Sequence, residues 1–357
     1  MPAARRNTLF LDNYLLMSKI RFILFAFLFF ISCNDQNKKA TEEQKPFTDI
    51  TACLFSQIAY CPDPQQQLNK HLPEWRVVWN ATALNGNHMF VATDKKNYTI
   101  AIRGSLIEFS WDAFENWIYQ DLNIGTQEKW NYANTSGAKI STGSYRGFQN
   151  LIQLKDKTSG KDVLTFLKEN TKDKNPIIIT GHSLGGNLAT VLASYLSFKL
   201  KESNHKNDIN VITFAAPAAG NAMFAEDFNE KFPNSVRIEN EGDIVPKFPC
   251  VSAVASLSKL YSDSLSADQI TVGYKNINTS LSNVFRRIST IITGLQLTSG
   301  FSNFTQTNRS GTIIKVKLSG KNNSNDAGSW FSEAGYQHGI AQYAVALNAP
   351  VLDCDLP

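Results

Sequence analysis

The sequence predicts an α/β fold: a mostly parallel central sheet with helices on both faces. Three observations carry that reading. Short apolar runs that read as strands recur at 98–103, 177–180, 209–215 and 235–239, and helix-like stretches separate them. Residues 176–194 pass directly from strand to sharp turn to helix. The chain has 357 residues, of which 43% are hydrophobic and 18% charged, which suits one large globular domain or two small ones. The net charge of +4 comes from scattered Lys and Arg, so no nucleic-acid footprint is expected.

The first element is a targeting segment, residues 1–33. Lys19 and Arg21 precede an unbroken apolar run at 22–31, which is short for a bilayer span. Met17 begins a more ordinary signal than Met1 does. The run ends in Phe30-Ile31-Ser32-Cys33 and resembles a bacterial lipoprotein signal. That resemblance implies acylation of Cys33 and attachment to the cell envelope, with an ordinary cleaved signal or an uncleaved anchor as the other readings. Residues 34–46 are polar and charged and read as a disordered tether. Residues 47–357 then form the folded domain. In an exported protein, Cys53, Cys61, Cys250 and Cys354 permit two disulfides. The expected pairing is Cys53 with Cys61 and Cys250 with Cys354. There is no Cys-x-x-Cys or His-Glu-x-x-His, so neither a metal site nor a cofactor is expected.

Along the domain, 48–60 reads as a helix closed by Cys61-Pro62. Strands at 76–81 and 88–93 flank a turn at 84–87, and a stronger strand at 98–103 ends in Gly104-Ser105. Residues 106–119 are dense in aromatic and large apolar side chains. Two readings stand for them: a mobile lid over a site, or a helix packed on the core. Residues 140–148 lead into a helix, and 162–169 form the helix before the strand at 177–180. The stretch 251–333 is rich in Ser, Asn and Thr and reads as an insertion. It carries one amphipathic pattern, Leu281, Val284, Phe285, Ile288, Ile291, Ile292 and Leu295. It either frames a substrate groove or decorates the surface. Helix returns over 336–347, starting at or just after His338.

The turn Gly181-His182-Ser183-Leu184-Gly185 has the strand–turn–helix context of a nucleophile elbow. Gly181 and Gly185 allow strand and helix to approach closely around a strained Ser183. The helix behind it directs free N–H groups and its positive dipole end at the same spot.

A serine nucleophile needs a base, and the base needs an orienting acid. Five histidines are available. His182 lies within the turn, with its side chain expected to point away from that of Ser183. His71 and His88 precede the elbow, against the usual order of serine, acid, histidine. His205 lies in a polar loop directly after the elbow helix. His338 remains. Between Ser183 and His338, Asp243 follows a strand and precedes Ile244-Val245-Pro246, the expected place for the acid, with a plain turn residue as the other reading. Leu184 N–H, next to the nucleophile, supplies one oxyanion donor. Ser105, at the end of the early strand, is placed for the second.

These residues resemble the class 3, fungal-type lipase family. The matches are Ala59-Tyr60-Cys61, Ile102-Arg103-Gly104-Ser105, Gly147-Phe148, Gly181-His182-Ser183-Leu184-Gly185-Gly186, Phe214-Ala215-Ala216-Pro217, Asp243-Ile244-Val245-Pro246, and His338 with Tyr343. They follow the family order. The resemblance implies an α/β-hydrolase fold, a triad of Ser183, Asp243 and His338, an oxyanion hole at Ser105 and Leu184, and a lid at the stretch after Ser105. Tyr145 stands where the family usually has histidine, and the interval from Pro249 to His338 is longer than usual. The implied activity is cleavage of acylglycerol esters at a lipid interface. A phospholipase, a short-chain esterase, or a silent lipid-binding surface lipoprotein are the other readings.

Overall fold

The computed structural model describes residues 47–354 other than 106–109, 111–122, 124, 255, 258–259, 262–265, 275–276, 299–302, 309–310 and 321–324. The signal-like segment and the tether lie outside the described residues, as does all of 106–119 except Ser110. No helix among the described residues is long and apolar enough to cross a membrane.

Helix α1 (Asp49–Ile58) starts where the Thr48 hydroxyl accepts from Thr51 N–H. Helix α2 (Pro64–His71) has proline in its first turn and Asp63 as its cap. Strands β1 (Arg76–Asn80), β2 (Met89–Thr93) and β3 (Tyr98–Ile102) form an antiparallel meander. The β1–β2 connection turns through Asn85 and Gly86, both at positive φ. Strands β4 (Gln127–Lys129) and β5 (Lys139–Ser141) lead into helix α3 (Thr142–Gln153). Helix α4 (Val163–Asn170), capped by Asp162, precedes strand β6 (Ile177–His182) and the long helix α5 (Leu184–Glu202). Strand β7 (Ile209–Phe214), the short β8 (Gly220–Asn221), helix α6 (Ala222–Lys231) and strand β9 (Val236–Asn240) follow. After a 3-10 turn at Val245–Lys247 come α7 (Val251–Val254), the hairpin β10 (Thr271–Tyr274) and β11 (Ile277–Ser280), and α8 (Leu281–Thr298). Strands β12 (Phe304–Thr305) and β13 (Thr312–Ile314) precede α9 (Ala327–His338) and α10 (Ile340–Ala346).

The main sheet has seven strands in the order β1-β2-β3-β6-β7-β9-β13, and every pairing from β3 onward is parallel. This is the predicted α/β architecture. Strand β6 is central. Ile177 and Ile179 pack into the core formed with α3 and α5. Thr180 faces the other side, where its hydroxyl meets Ser56 of α1 at 2.9 Å. Burial on both faces explains the continuous apolar run. A small second sheet, β12-β8-β5-β4, is paired separately from the main one, and its strands fall between main-sheet strands in sequence.

Within 251–333, β13 extends the edge of the main sheet beside β9. The amphipathic pattern of α8 buries Leu281, Val284, Phe285, Ile288 and Ile292 against Trp330 and Phe331 of α9, while Ile291 is exposed. The helix expected over 336–347 is two helices. One ends at His338, and Gly339, in an extended conformation, separates it from the next. Thus His338 closes a helix instead of opening one.

The expected cysteine pairing is incorrect. Cys61 bonds Cys354, and Cys53 and Cys250 are free thiols. The reason is spatial. The C-terminal segment returns along α1, where Gln57 donates to Pro350 O and accepts from Leu352 N–H. That brings Cys354 to Cys61 just past the helix end. Cys53 points instead into the core with Ile212 and Phe214. Burial raises the Cys53 thiol to about 12 and the Cys250 thiol to about 11, so neither is a ready thiolate.

Candidate active site

Strand β6 delivers the chain to Ser183 at φ +59°, ψ −129°, a conformation that non-glycine residues rarely hold. Its neighbours enforce it. Ser183 N–H donates to Phe214 O at 2.9 Å, and Ser183 O accepts from Gly186 and Asn187 at the start of α5. The turn is closed too tightly for side chains. A Cβ on Gly185 would stand 2.3 Å from Ile102 O, and one on Gly181 would stand 2.5 Å from the Gly185 carbonyl carbon. The N-terminus of α5 therefore abuts both β6 and β3, with Ser183 at its cap position.

Two later segments, the end of α9 and the turn after β9, reach this point. His338, at the end of α9, places Nε2 2.9 Å from Ser183 Oγ. Its Nδ1 lies 2.8 Å from Asp243 Oδ2. Asp243 sits just past β9 and is completely buried. A carboxylate only accepts, so Nδ1 carries the proton and the Nε2 lone pair faces the serine hydroxyl. Asp243 Oδ2 also accepts from Tyr343 Oη at 2.8 Å, and Oδ1 accepts from Val245 N–H at 2.9 Å. Burial and the Asp243 charge hold the Tyr343 phenol well above its ordinary pKa, so it stays a donor. Lys247 Nζ donates to the carbonyls of Glu241 and Asp243, both at 2.9 Å, and Tyr261 Oη donates to Gly242 O at 2.6 Å. The turn bearing Asp243 is thus pinned from two sides.

His182 points away from the Ser183 hydroxyl, but it is not idle. Its Nε2 donates to His338 O at 2.8 Å, and its Nδ1 accepts from Tyr60 Oη at 2.9 Å. The two imidazoles lie 4.6 Å apart between centroids. Burial, with His338 adding to it, keeps the His182 pKa well below its ordinary value. The other histidines are elsewhere. His205 bridges the carbonyls of Ser203 and Lys168, and His88 bonds Asn80.

Leu184 occupies the first helical position of α5, where an N–H has no intrahelical acceptor. Ser105 is half-buried and follows Gly104. A Cβ on Gly104 would stand 3.3 Å from Ser183 Cβ, so this loop runs beside the serine. The arrangement can deprotonate a hydroxyl, support the resulting imidazolium, and offer backbone donors near the serine. The sequence reading did not assign roles to Tyr60, Asn240, Gln337 or Tyr343. Tyr60 and Tyr343 stand within the motifs that carry the resemblance, whereas the signal of Asn240 and Gln337, polar groups inside an apolar core, is visible only when the chain is folded. Among the described residues, no group of three His, Cys, Asp or Glu could hold a metal.

Residues 99–253 match the family model for Lipase (class 3). This segment is similar to the class 3 lipase family. Related sequences include the secreted mono- and diacylglycerol lipase 1 of Fusarium solani, 27% identical over 195 residues that cover 53% of this chain and 49% of that protein. The chloroplastic phospholipase A1-Igamma2 of Arabidopsis thaliana is 26% identical over 201 residues, covering 49% of this chain and 36% of that one. The chain spans half or less of the length of the curated relatives it matches. Its fold is similar to the crystal structure of M37 lipase, with a TM-score of 0.68, 24% identity, and coverage of 85% of this chain and 93% of that one. The matched segment contains Ser183 and Asp243, while His338 reaches the site from beyond it.

Proposed function

We propose that this protein hydrolyses carboxylic esters of lipids, with acylglycerols as the lead substrate class. One observation carries the reading: the unbroken hydrogen-bonded line from Ser183 Oγ through His338 to Asp243, set at the mouth of a strained strand–helix turn. Ser183 Oγ attacks the ester carbonyl while His338 Nε2 takes its proton. Asp243 holds the imidazole tautomer and stabilises the imidazolium. Leu184 N–H and Ser105 hold the oxyanion, each such donor being worth about 3 kcal/mol. His338 then protonates the departing alcohol. Water repeats the sequence on the acyl-enzyme, freeing the fatty acid.

A phospholipase A1 activity on the same machinery is the second reading, favoured by the similarity to a plant protein of that name. Parallel assays on emulsified triacylglycerol, monoacylglycerol and phosphatidylcholine separate the two. The extracellular placement draws on the Cys61–Cys354 disulfide and on similarity to a protein named as secreted. The finer proposal is anchorage to the envelope through acylated Cys33. Metabolic labelling with a fatty-acid analogue, lost in Cys33→Ser, tests it. The hydrolase reading itself is tested with a fluorophosphonate probe. Wild-type protein is expected to label at Ser183, and Ser183→Ala is expected neither to label nor to cleave esters. Unlabelled, inactive wild-type protein would remove the proposal.

A further inference from the structure

The polar groups behind Asp243 continue well past Tyr343 and end at a second buried carboxylate. Glu333, on α9, is 2% exposed. It accepts from Ser319 N–H at 3.1 Å, from Ser319 Oγ at 2.5 Å and from Gln337 Nε2 at 2.8 Å. None of the ion pairs among the described residues includes it.

Gln337 is fully buried. Its second amide hydrogen goes to Lys317 O at 3.1 Å. With both N–H groups committed, its Oε1 must face Asn240, whose Nδ2 donates to it at 2.6 Å and also to Gln337 O at 2.8 Å. Asn240 Oδ1 in turn accepts from Gly242 and Val316. The Asn240 backbone N–H donates to Tyr343 Oη at 2.9 Å, which leaves the phenol proton for Asp243. A Cβ on Gly242 would stand 2.5 Å from Gln337 Oε1, so the amide lies flat against the turn bearing Asp243.

Gln337 precedes His338, and Gly242 precedes Asp243. The contact between Gln337 and the Asn240–Gly242 backbone therefore joins the two segments that must meet. If the amide flipped, its NH2 would oppose that of Asn240 and its oxygen would oppose the Glu333 carboxylate. The negative charge of Glu333 forbids this. A buried carboxylate is a costly way merely to hold a helix, since an apolar residue of similar size serves that end without desolvating a charge.

We infer that Gln337, locked in one amide orientation by Glu333, is a positioning residue that sets the approach of Asp243 to His338. This rests on the hydrolase reading above.

The test compares wild type, Glu333→Gln, Gln337→Glu and the exchange Glu333→Gln/Gln337→Glu on p-nitrophenyl butyrate. Active sites are counted by fluorophosphonate titration, so that only folded, competent molecules enter kcat. Gln337→Glu sets two carboxylates together and is expected to lower kcat about 100-fold at unchanged KM, the scale of a misplaced catalytic group. Glu333→Gln leaves the amide free to flip and is expected to lower kcat about tenfold. In the exchange, the new amide at 333 donates to the new carboxylate at 337, which still accepts from Asn240. It is expected to recover at least about tenfold over Gln337→Glu, a coupling that independent sites do not show. A kcat per site within about twofold of wild type in both single variants, or an exchange no better than Gln337→Glu, overturns the inference and leaves the hydrolase reading standing. If Gln337→Glu does not fold, a folded and active exchange supports the inference, while Glu333→Gln at wild-type kcat overturns it. Wild-type protein that neither labels nor turns over overturns both.

Discussion

The imidazole of His182 holds the backbone carbonyl of His338, with Nε2 donating across 2.8 Å. The residue before the serine thereby fixes the helix end that carries the proposed base. Because that bond uses the Nε2 proton, Nδ1 must be unprotonated to accept from Tyr60. His182 serves only as a neutral imidazole.

That requirement predicts an acid dependence. The folded pKa of His182 lies well below the ordinary 6.5. Below about pH 6.5 the unfolded chain takes up a proton at this residue and the folded chain does not. Stability is therefore indifferent to His182 above that pH and falls below it by about 1.4 kcal/mol per pH unit. His88, lowered to about 4 by burial and by the nearby Arg103 and Lys157, adds its own slope. The comparison is accordingly between wild type and His182→Asn. Urea unfolding at pH 7, 6 and 5 should show a shallower loss in the variant by about one proton's worth. Equal slopes would contradict the assignment.

Tyr343 stands between Asn240 and Asp243. Its hydroxyl accepts from one and donates to the other. Tyr343→Phe strands the buried Asn240 N–H and removes a donor from the Asp243 carboxylate. The expected cost is about 1–3 kcal/mol in stability, with kcat on a short-chain ester reduced about tenfold. Unchanged kcat would mean that Val245 N–H and His338 suffice to hold the carboxylate.

Gly185 has no room for a side chain, since an added Cβ meets Ile102 O at 2.3 Å and the Arg103 carbonyl carbon and Gly104 nitrogen at 2.9 Å. These are backbone atoms and cannot swing aside. Gly185→Ala is expected to cost about 3 kcal/mol and to displace Ser183 from His338. A thermal melt together with fluorophosphonate labelling checks both effects. Gly160, where an added Cβ meets nothing within 4 Å but φ is +66°, serves as the contrast. There, alanine strains the loop by about 1 kcal/mol without touching the site.

The Cys61–Cys354 bond closes a loop of 293 residues in sequence separation. Cys354→Ser is expected to cost about 2–5 kcal/mol. Gln57 still holds Pro350 and Leu352, so the C-terminal segment should stay docked and the ester-cleaving rate at 25 °C should change little. A denaturation midpoint unchanged by reductant would show that the bond is not formed in solution.

Local features of the chain were readable without coordinates because their physics acts between near neighbours. Apolar runs such as 177–180 report burial on both faces. The caps Thr48 and Asp162 satisfy N–H groups three residues away. The glycines flanking Ser183 answer a steric demand within one turn. The parallel pairing of the later strands was legible because short apolar strands separated by helices pair in parallel. The cysteine pairing could not be read, since it depends on where residues 350–354 return, and nothing near Cys61 in sequence announces that. The break at Gly339 was equally hidden, because the apolar face of 327–338 is defined by α8 and the turn after β9, not by its own neighbours. The same holds for the Asn240–Gln337 and Asp243–Tyr343 bonds, which join positions 97 and 100 residues apart. A buried hydrogen bond exists only when two groups are delivered to the same point with matching polarity, and that delivery is a property of the packed elements together.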